Sequence, residues 1–215
     1  MNYTGSGGND TMTGSSSSDT FYLKAGNDLA YGYGSSDTIA GQGGADKLYG
    51  GDSADMLYGG GGNDTLLGES DGDDLYGGNG KDVLEGGQGA DGNFGGDGAD
   101  LFLFRSASDA NGDWIHDFWT GDKIDLSHVD ANYTPWWNPF DWCPGTQAFD
   151  WMGDTGGATL GKGELGYVHS DGTTYVYGNT DGDSAAEFTI GLTGTLYLTR
   201  TDFLFSSEIG AGPGC

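Results

Sequence analysis

Aspartate recurs every nine residues through the first half of this chain. It stands at positions 10, 19, 28, 37, 46, 55, 64, 73, 82, 91 and 100. Two residues after each comes a second fixed position, held by Met12, Phe21, Ala30, Ile39, Leu48, Leu57, Leu66, Leu75, Leu84, Asn93 and Phe102. Before each aspartate lies a Gly-rich run, cleanest in Gly77-Gly78-Asn79-Gly80-Lys81-Asp82. A net charge of −26 and 45 glycines would ordinarily indicate an acidic disordered linker. Such a linker has no reason to keep a nine-residue register, so the repeat overrides the composition.

A unit of this length holds a turn of about six residues, with glycines at positive φ, and a strand of about three. Only one side chain per strand points inward. A single unit cannot bury it, so units must stack, two to each 18-residue turn, with the apolar positions of two sheets facing across a thin core. The same stacking sets aspartates 18 apart above one another, about one strand spacing of 4.8 Å apart. Such charges repel unless a cation lies between them. Calcium suits the place, because it accepts 6–8 oxygens, backbone carbonyls included, in tolerant geometry; magnesium demands an octahedron and keeps its water.

The nonapeptide Gly-Gly-X-Gly-X-Asp-X-apolar-X over residues 5–104 resembles the RTX repeat of bacterial secreted toxins, proteases, epimerases and adhesins. That resemblance implies an all-β fold, a right-handed parallel β-roll, with calcium between loops of successive turns. The expected ligands are the carboxylates of Asp10, Asp28, Asp37, Asp46, Asp55, Asp64, Asp73, Asp82, Asp91 and Asp100. Carbonyls would come from Gly41, Gly43, Gly50, Gly59, Gly61, Gly68, Gly77, Gly80, Gly86, Gly89, Gly95 and Gly98. Loops 18 apart pair into nine gaps, so nine ions are the ceiling. The loops before Asp19 and Asp28 are poor in glycine, which disfavours positive φ and weakens the case for those two. The loop before Asp73 lacks its glycine two residues ahead.

After residue 104 the composition shifts, and all six Trp and all three His follow. The nine-residue register reads as lost there. Residues 163–170, 173–177, 187–192 and 195–199 read as strands of an antiparallel β-domain over 105–205 that caps the roll 1–104, with 206–215 as a tail. The segments Asp113-Trp114-Ile115-His116-Asp117-Phe118, Gly121-Asp122-Lys123-Ile124-Asp125 and Thr201-Asp202-Phe203-Leu204-Phe205 are similar to the C-terminal domain of serralysin-type metalloproteases. That similarity implies a non-catalytic region carrying an uncleaved signal for type I secretion. The His-Glu-X-X-His zinc motif of those proteases is absent, and no nucleophilic triad is supported, so the chain reads as no enzyme.

Smaller constellations remain. Asn179, Asp181, Asp183 and Glu187 have the spacing of part of a calcium loop, with a solvated acidic turn as the alternative. Asp113, Asp117, Asp122 and Asp125 form a second acidic group, with turn capping as the alternative. The aromatic insert 133–144 carries Trp136, Trp137, Phe140 and Trp142, which would pack on their own domain, on another copy or extracellular protein, or on a glycan. Cys143 and Cys215 are open between a mutual disulfide, free thiols and an intermolecular bond.

With 33 acids against 7 bases, an electrostatic grip on nucleic acid or anionic membrane is excluded, and no apolar run approaches the roughly 18 residues of a membrane span. The expected protein is a secreted, extracellular or cell-surface calcium-binding component. The alternative is the secretion and folding module of an exoenzyme whose catalytic part lies elsewhere. Met1 running directly into the first repeat favours the former if that start is native.

Overall fold

The computed structural model describes residues 1–129, 149–180 and 185–205. The first hundred residues form β1 (Asn2–Thr4), β2 (Thr11–Thr13), β3 (Thr20–Tyr22), β4 (Leu29–Gly34), β5 (Thr38–Gly43), β6 (Lys47–Asp52), β7 (Met56–Gly61), β8 (Thr65–Ser70), β9 (Asp74–Gly80), β10 (Val83–Gln88), β11 (Gly92–Gly98) and β12 (Leu101–Leu103). Odd strands pair in one parallel sheet and even strands in the other. The register is 18 throughout: Leu48 lies opposite Leu66, Leu66 opposite Leu84, and Leu57 opposite Leu75. The chain is a parallel β-roll. Its central strands run longer than three residues, because pairing continues into the Gly-rich run, as in Gly60 opposite Gly78 and Gly78 opposite Gly96.

The core is one residue thick per strand. Phe21, Ile39, Leu57 and Leu75 face Ala30, Leu48, Leu66 and Leu84 and are wholly shielded from solvent. Each buried leucine contributes about 1.5–3 kcal/mol. Outward-facing positions stack their rings instead. Tyr58, Tyr76, Phe94 and His116 form a ladder with centroids 4.8, 4.6 and 4.3 Å apart, and Tyr31 stacks on Tyr49 at 4.7 Å.

Beyond residue 104 the register is displaced, not lost. Helix α1 (Ala107–Ala110), N-capped by Ser106, takes up four extra residues. After it, β13 (Trp114–Ile115) and β14 (Lys123–Asp125) extend the two sheets, with Ile115 opposite Asn93 and Ile124 opposite Phe102. Asp113 and Asp122 therefore resume the nine-residue beat. The remaining strands are β15 (Asp150–Asp154), β16 (Glu164–Ser170), β17 (Thr173–Asn179), β18 (Phe188–Thr193) and β19 (Phe203–Leu204). The run β16–β17–β18 is antiparallel, while β18 joins β13 in parallel and β19 joins β14 in parallel. Both sheets thus pass from the roll into the C-terminal region without a break.

The strand expected over 195–199 does not form. Gly194 turns the chain at φ 102, and the Thr174 hydroxyl then donates to the Gly194 carbonyl and accepts from the Leu196 amide, each at 2.8 Å. A side chain, not a ladder, satisfies those backbone groups. The aromatic insert 133–144, Asp181, Asp183 and the tail with Cys215 lie outside the described residues.

Two substitutions test this packing. Asn93 occupies a core position, is 1% exposed, and its Oδ1 finds no partner. Asn93→Leu should raise stability in calcium by about 1–2 kcal/mol in a thermal melt; a lower melting temperature would refute the assignment of this position to the core. A Cβ on Gly191 would lie 2.8 Å from the Trp114 ring, where β18 meets the roll. Gly191→Val should cost about 1–3 kcal/mol through overpacking, and an unchanged melt would show that this junction is not tightly packed.

Candidate metal centre

Each aspartate of the repeat sits at the end of its loop with its carboxylate turned inward, 1–3% exposed from Asp19 to Asp100. One oxygen has a fixed task. The backbone N–H of Asp10 donates to Oδ1 of Asp28, that of Asp28 to Asp46, that of Asp46 to Asp64, and that of Asp64 to Asp82, at 2.7–2.8 Å. The opposite edge repeats this from Asp19 through Asp37, Asp55 and Asp73 to Asp91. The columns end on Asp113, which accepts from Asp91, and Asp122, which accepts from Asp100, both at 2.9 Å. These last two column members stand 22 residues from their partners, so the nine-residue spacing alone does not reveal them.

The other oxygen is stranded. Oδ2 of Asp28, Asp37, Asp46, Asp55, Asp64, Asp73, Asp82, Asp91 and Asp100 is buried without a hydrogen-bond partner. From Asp37 to Asp100 it faces the glycine five residues earlier, and from Asp37 to Asp82 also the carbonyl of the equivalent residue one turn on. At Gly77, a Cβ would lie 2.6 Å from both Asp82 Oδ2 and the Gly95 carbonyl oxygen. Gly59, against Asp64 and the Gly77 carbonyl, repeats that arrangement, as do Gly41, Gly50 and Gly68. Each gap from 37/55 to 82/100 thus gathers carboxylate and carbonyl oxygens, with no side chain between them. That donor set fits a hard divalent cation.

The loop backbone makes this cradle by placing two residues in the left-handed region, four and two before the aspartate. Glycines fill most of these places, and at Gly62 and Gly80 the preceding turn approaches so closely that no Cβ fits. Lys24, Tyr33, Gln42, Ser53, Glu69 and Asp71 nevertheless adopt φ of 72–82°. The loops before Asp28 and Asp73 therefore share the common shape despite their missing glycines. Gly43, Gly61 and Gly98 continue the loop pairing, with Gly43 opposite Gly61.

The electrostatic cost falls on the carboxyls. Burial, reinforced by the like-charged neighbours in each column, pushes Asp55 up to about 7, Asp64 to about 6 and Asp73 to about 8. Burial likewise takes Asp91 and Asp100 to about 6 and Asp113 to about 8. Asp19 departs in the other direction: the chain's amino group, aided by Ser15, holds it below the usual range against the opposing effect of burial.

The two smaller acidic groups behave differently. Asp113 and Asp122 belong to opposite edges of the roll. Asp117 accepts from the Gly95 and Gly96 amides at 2.8 and 2.9 Å, and Asp125 from the Ser127 amide at 2.8 Å. Each of the four accepts from a backbone amide, and Asp113 keeps a stranded Oδ2 as the repeat aspartates do. Glu187 accepts from the Thr180 amide, and the Asn179 side-chain amide donates to the Leu160 carbonyl at 3.2 Å.

No curated protein sequence matches the chain. Two solved structures similar to it are the R3 and R2 subunits of the AlgE6 mannuronan C5-epimerase of Azotobacter vinelandii. The first is 21% identical with a TM-score of 0.38, covering 98% of this chain and 85% of that one. The second is 22% identical with a TM-score of 0.39, covering 98% and 96%. Residues 2–30, 31–66 and 67–102, which form β1 to β12, match the family model of the RTX calcium-binding nonapeptide repeat.

Proposed function

We propose that this chain is a non-catalytic, calcium-gated structural module that becomes rigid on reaching a calcium-rich space outside the cell. The observation that carries this reading is the stranded Oδ2 in every interior loop. A chain left to itself must either protonate these groups or hold unsatisfied charges at close spacing, and the unfolded chain does neither. Calcium, when bound, supplies positive charge and accepts both the carboxylate and the facing carbonyls. The aspartates hold the loops in register through Oδ1 and present Oδ2 to the gap. The glycines keep the gap clear. The C-terminal region continues both sheets and covers one end of the roll, which suits a cap. An extracellular or surface location agrees with the millimolar calcium that such modules use.

Three outcomes test this. Circular dichroism should show the roll assembling cooperatively at about 10⁻⁴–10⁻³ M calcium and not at equal magnesium; full β-structure in excess chelator would overturn the reading. Asp64→Asn keeps an acceptor for the Asp46 amide while removing the charge. It should add β-structure in chelator and raise the calcium midpoint several-fold, and a loss of β-structure in chelator would mean that the charge is not the obstacle.

The third outcome is the response to pH. The raised carboxyls, reaching about 8 at Asp73, hold protons in the metal-free roll that the unfolded chain sheds near 4. The metal-free roll should therefore be most stable below about pH 4 in respect of these groups, losing that stability as pH rises to about 8. Calcium needs the deprotonated form, so its midpoint should rise as pH falls from 8 to 5. A calcium midpoint independent of pH over this range would contradict carboxylate ligation.

A further inference from the structure

The loops fall into two classes. Every loop from the one ending at Asp28 to the one ending at Asp100 has positive φ at the residues four and two before its aspartate. The loops ending at Asp10 and Asp19 have neither: Ser6, Gly8, Ser15 and Ser17 all stay out of the left-handed region.

The difference reaches the carboxylates. Asp19 Oδ2 accepts from the Ser15 amide at 2.7 Å and from the Ser15 hydroxyl at 2.9 Å. Asp10 Oδ2 accepts from the Ser6 amide at 2.6 Å and the Ser6 hydroxyl at 2.9 Å. This is the same oxygen that is stranded in each aspartate from Asp28 to Asp100. The carbonyl half of the cradle is still in place, since the Gly32 carbonyl faces Asp19 Oδ2 across Gly14, and the Leu23 carbonyl faces Asp10 Oδ2 across Gly5. Only the carboxylate half is taken. Two donors pointing at an oxygen satisfy it without a cation, and their hydrogens occupy the approach that a cation needs.

Resting on the calcium reading above, we propose that serine replaces calcium in the first two loops. The gaps 10/28 and 19/37 close without metal, and the ion is left to the gaps from 28/46 onward on one edge and from 37/55 onward on the other. The first turn of the roll is then a metal-independent end, and calcium controls the interior alone. A serine four residues before the aspartate, with no left-handed residue after it, is the signature of a closed loop.

Native mass spectrometry of the full chain in calcium reads the number of bound ions directly, and each variant is compared with the parent. Asp19→Asn should leave the count unchanged, because its oxygens serve Ser15 and the amino group of Met1. Asp46→Asn should lower it by at least one. Ser15→Gly combined with Ser17→Gly restores Gly-Gly-X-Gly-X-Asp over residues 14–19 and should raise the count by one. Loss of an ion in Asp19→Asn overturns the proposal, as does an unchanged count in the Ser15→Gly, Ser17→Gly chain when it melts like the parent. If that double variant does not fold, Asp19→Asn still decides. A parent chain that binds no calcium would refute the functional reading itself, a result distinct from either of these.

Discussion

Everything in the roll depends on the split use of one carboxylate. Oδ1 of each aspartate takes the amide of the turn before it, which ties neighbouring turns together at 18-residue intervals. Oδ2 is carried into the interior by that bond and has nothing of its own to meet. The hydrogen bond that defines the architecture thus creates the charge that destabilises it. A neutral acceptor would stack as well but would give the fold no dependence on its surroundings. Aspartate makes the register and the need for a cation one property.

The glycines answer the same constraint from the other side. Two left-handed residues per loop turn the carbonyls toward the gap, and a bare Cα five residues before the aspartate leaves room for its Oδ2. Leu23 is the exception at that last place. It sits before Asp28 and buries its side chain in the core at the N-terminal end. The non-glycine residues at positive φ, Tyr33 and Glu69 among them, carry a local strain of about 1 kcal/mol each. The ladder on either side holds them there.

The roll was legible in the sequence because its period is also its geometry: a beat of nine predicts paired sheets, an inward apolar row and stacked aspartates. The loops were less so. Glycine content misjudged the loop before Asp28, where Lys24 takes a left-handed conformation that its residue type disfavours. The division of labour between Oδ1 and Oδ2 is a matter of side-chain direction, which no spacing encodes. The resumption at Asp113 and Asp122 was hidden by the residues folded into α1. Asp109 stands where the unbroken count would put the next aspartate, and it serves in that helix instead. The C-terminal region was readable only as strands, since its pairing onto the roll rests on small residues such as Gly191 against Trp114.

The outward ring ladder has a consequence of parity. Tyr58, Tyr76, Phe94 and His116 occupy one face because they lie 18 residues apart, or 22 at the last step. One nonapeptide added between the ladder and the first turn lengthens the roll by about half a strand spacing and rotates everything before it by half a revolution. Length and facing are therefore inseparable in this chain. An even number of added units moves the two ends apart with their faces aligned, and an odd number sets them back to back. Whatever surface the roll presents, the distance between its ends can grow only in steps that also decide which way each end looks.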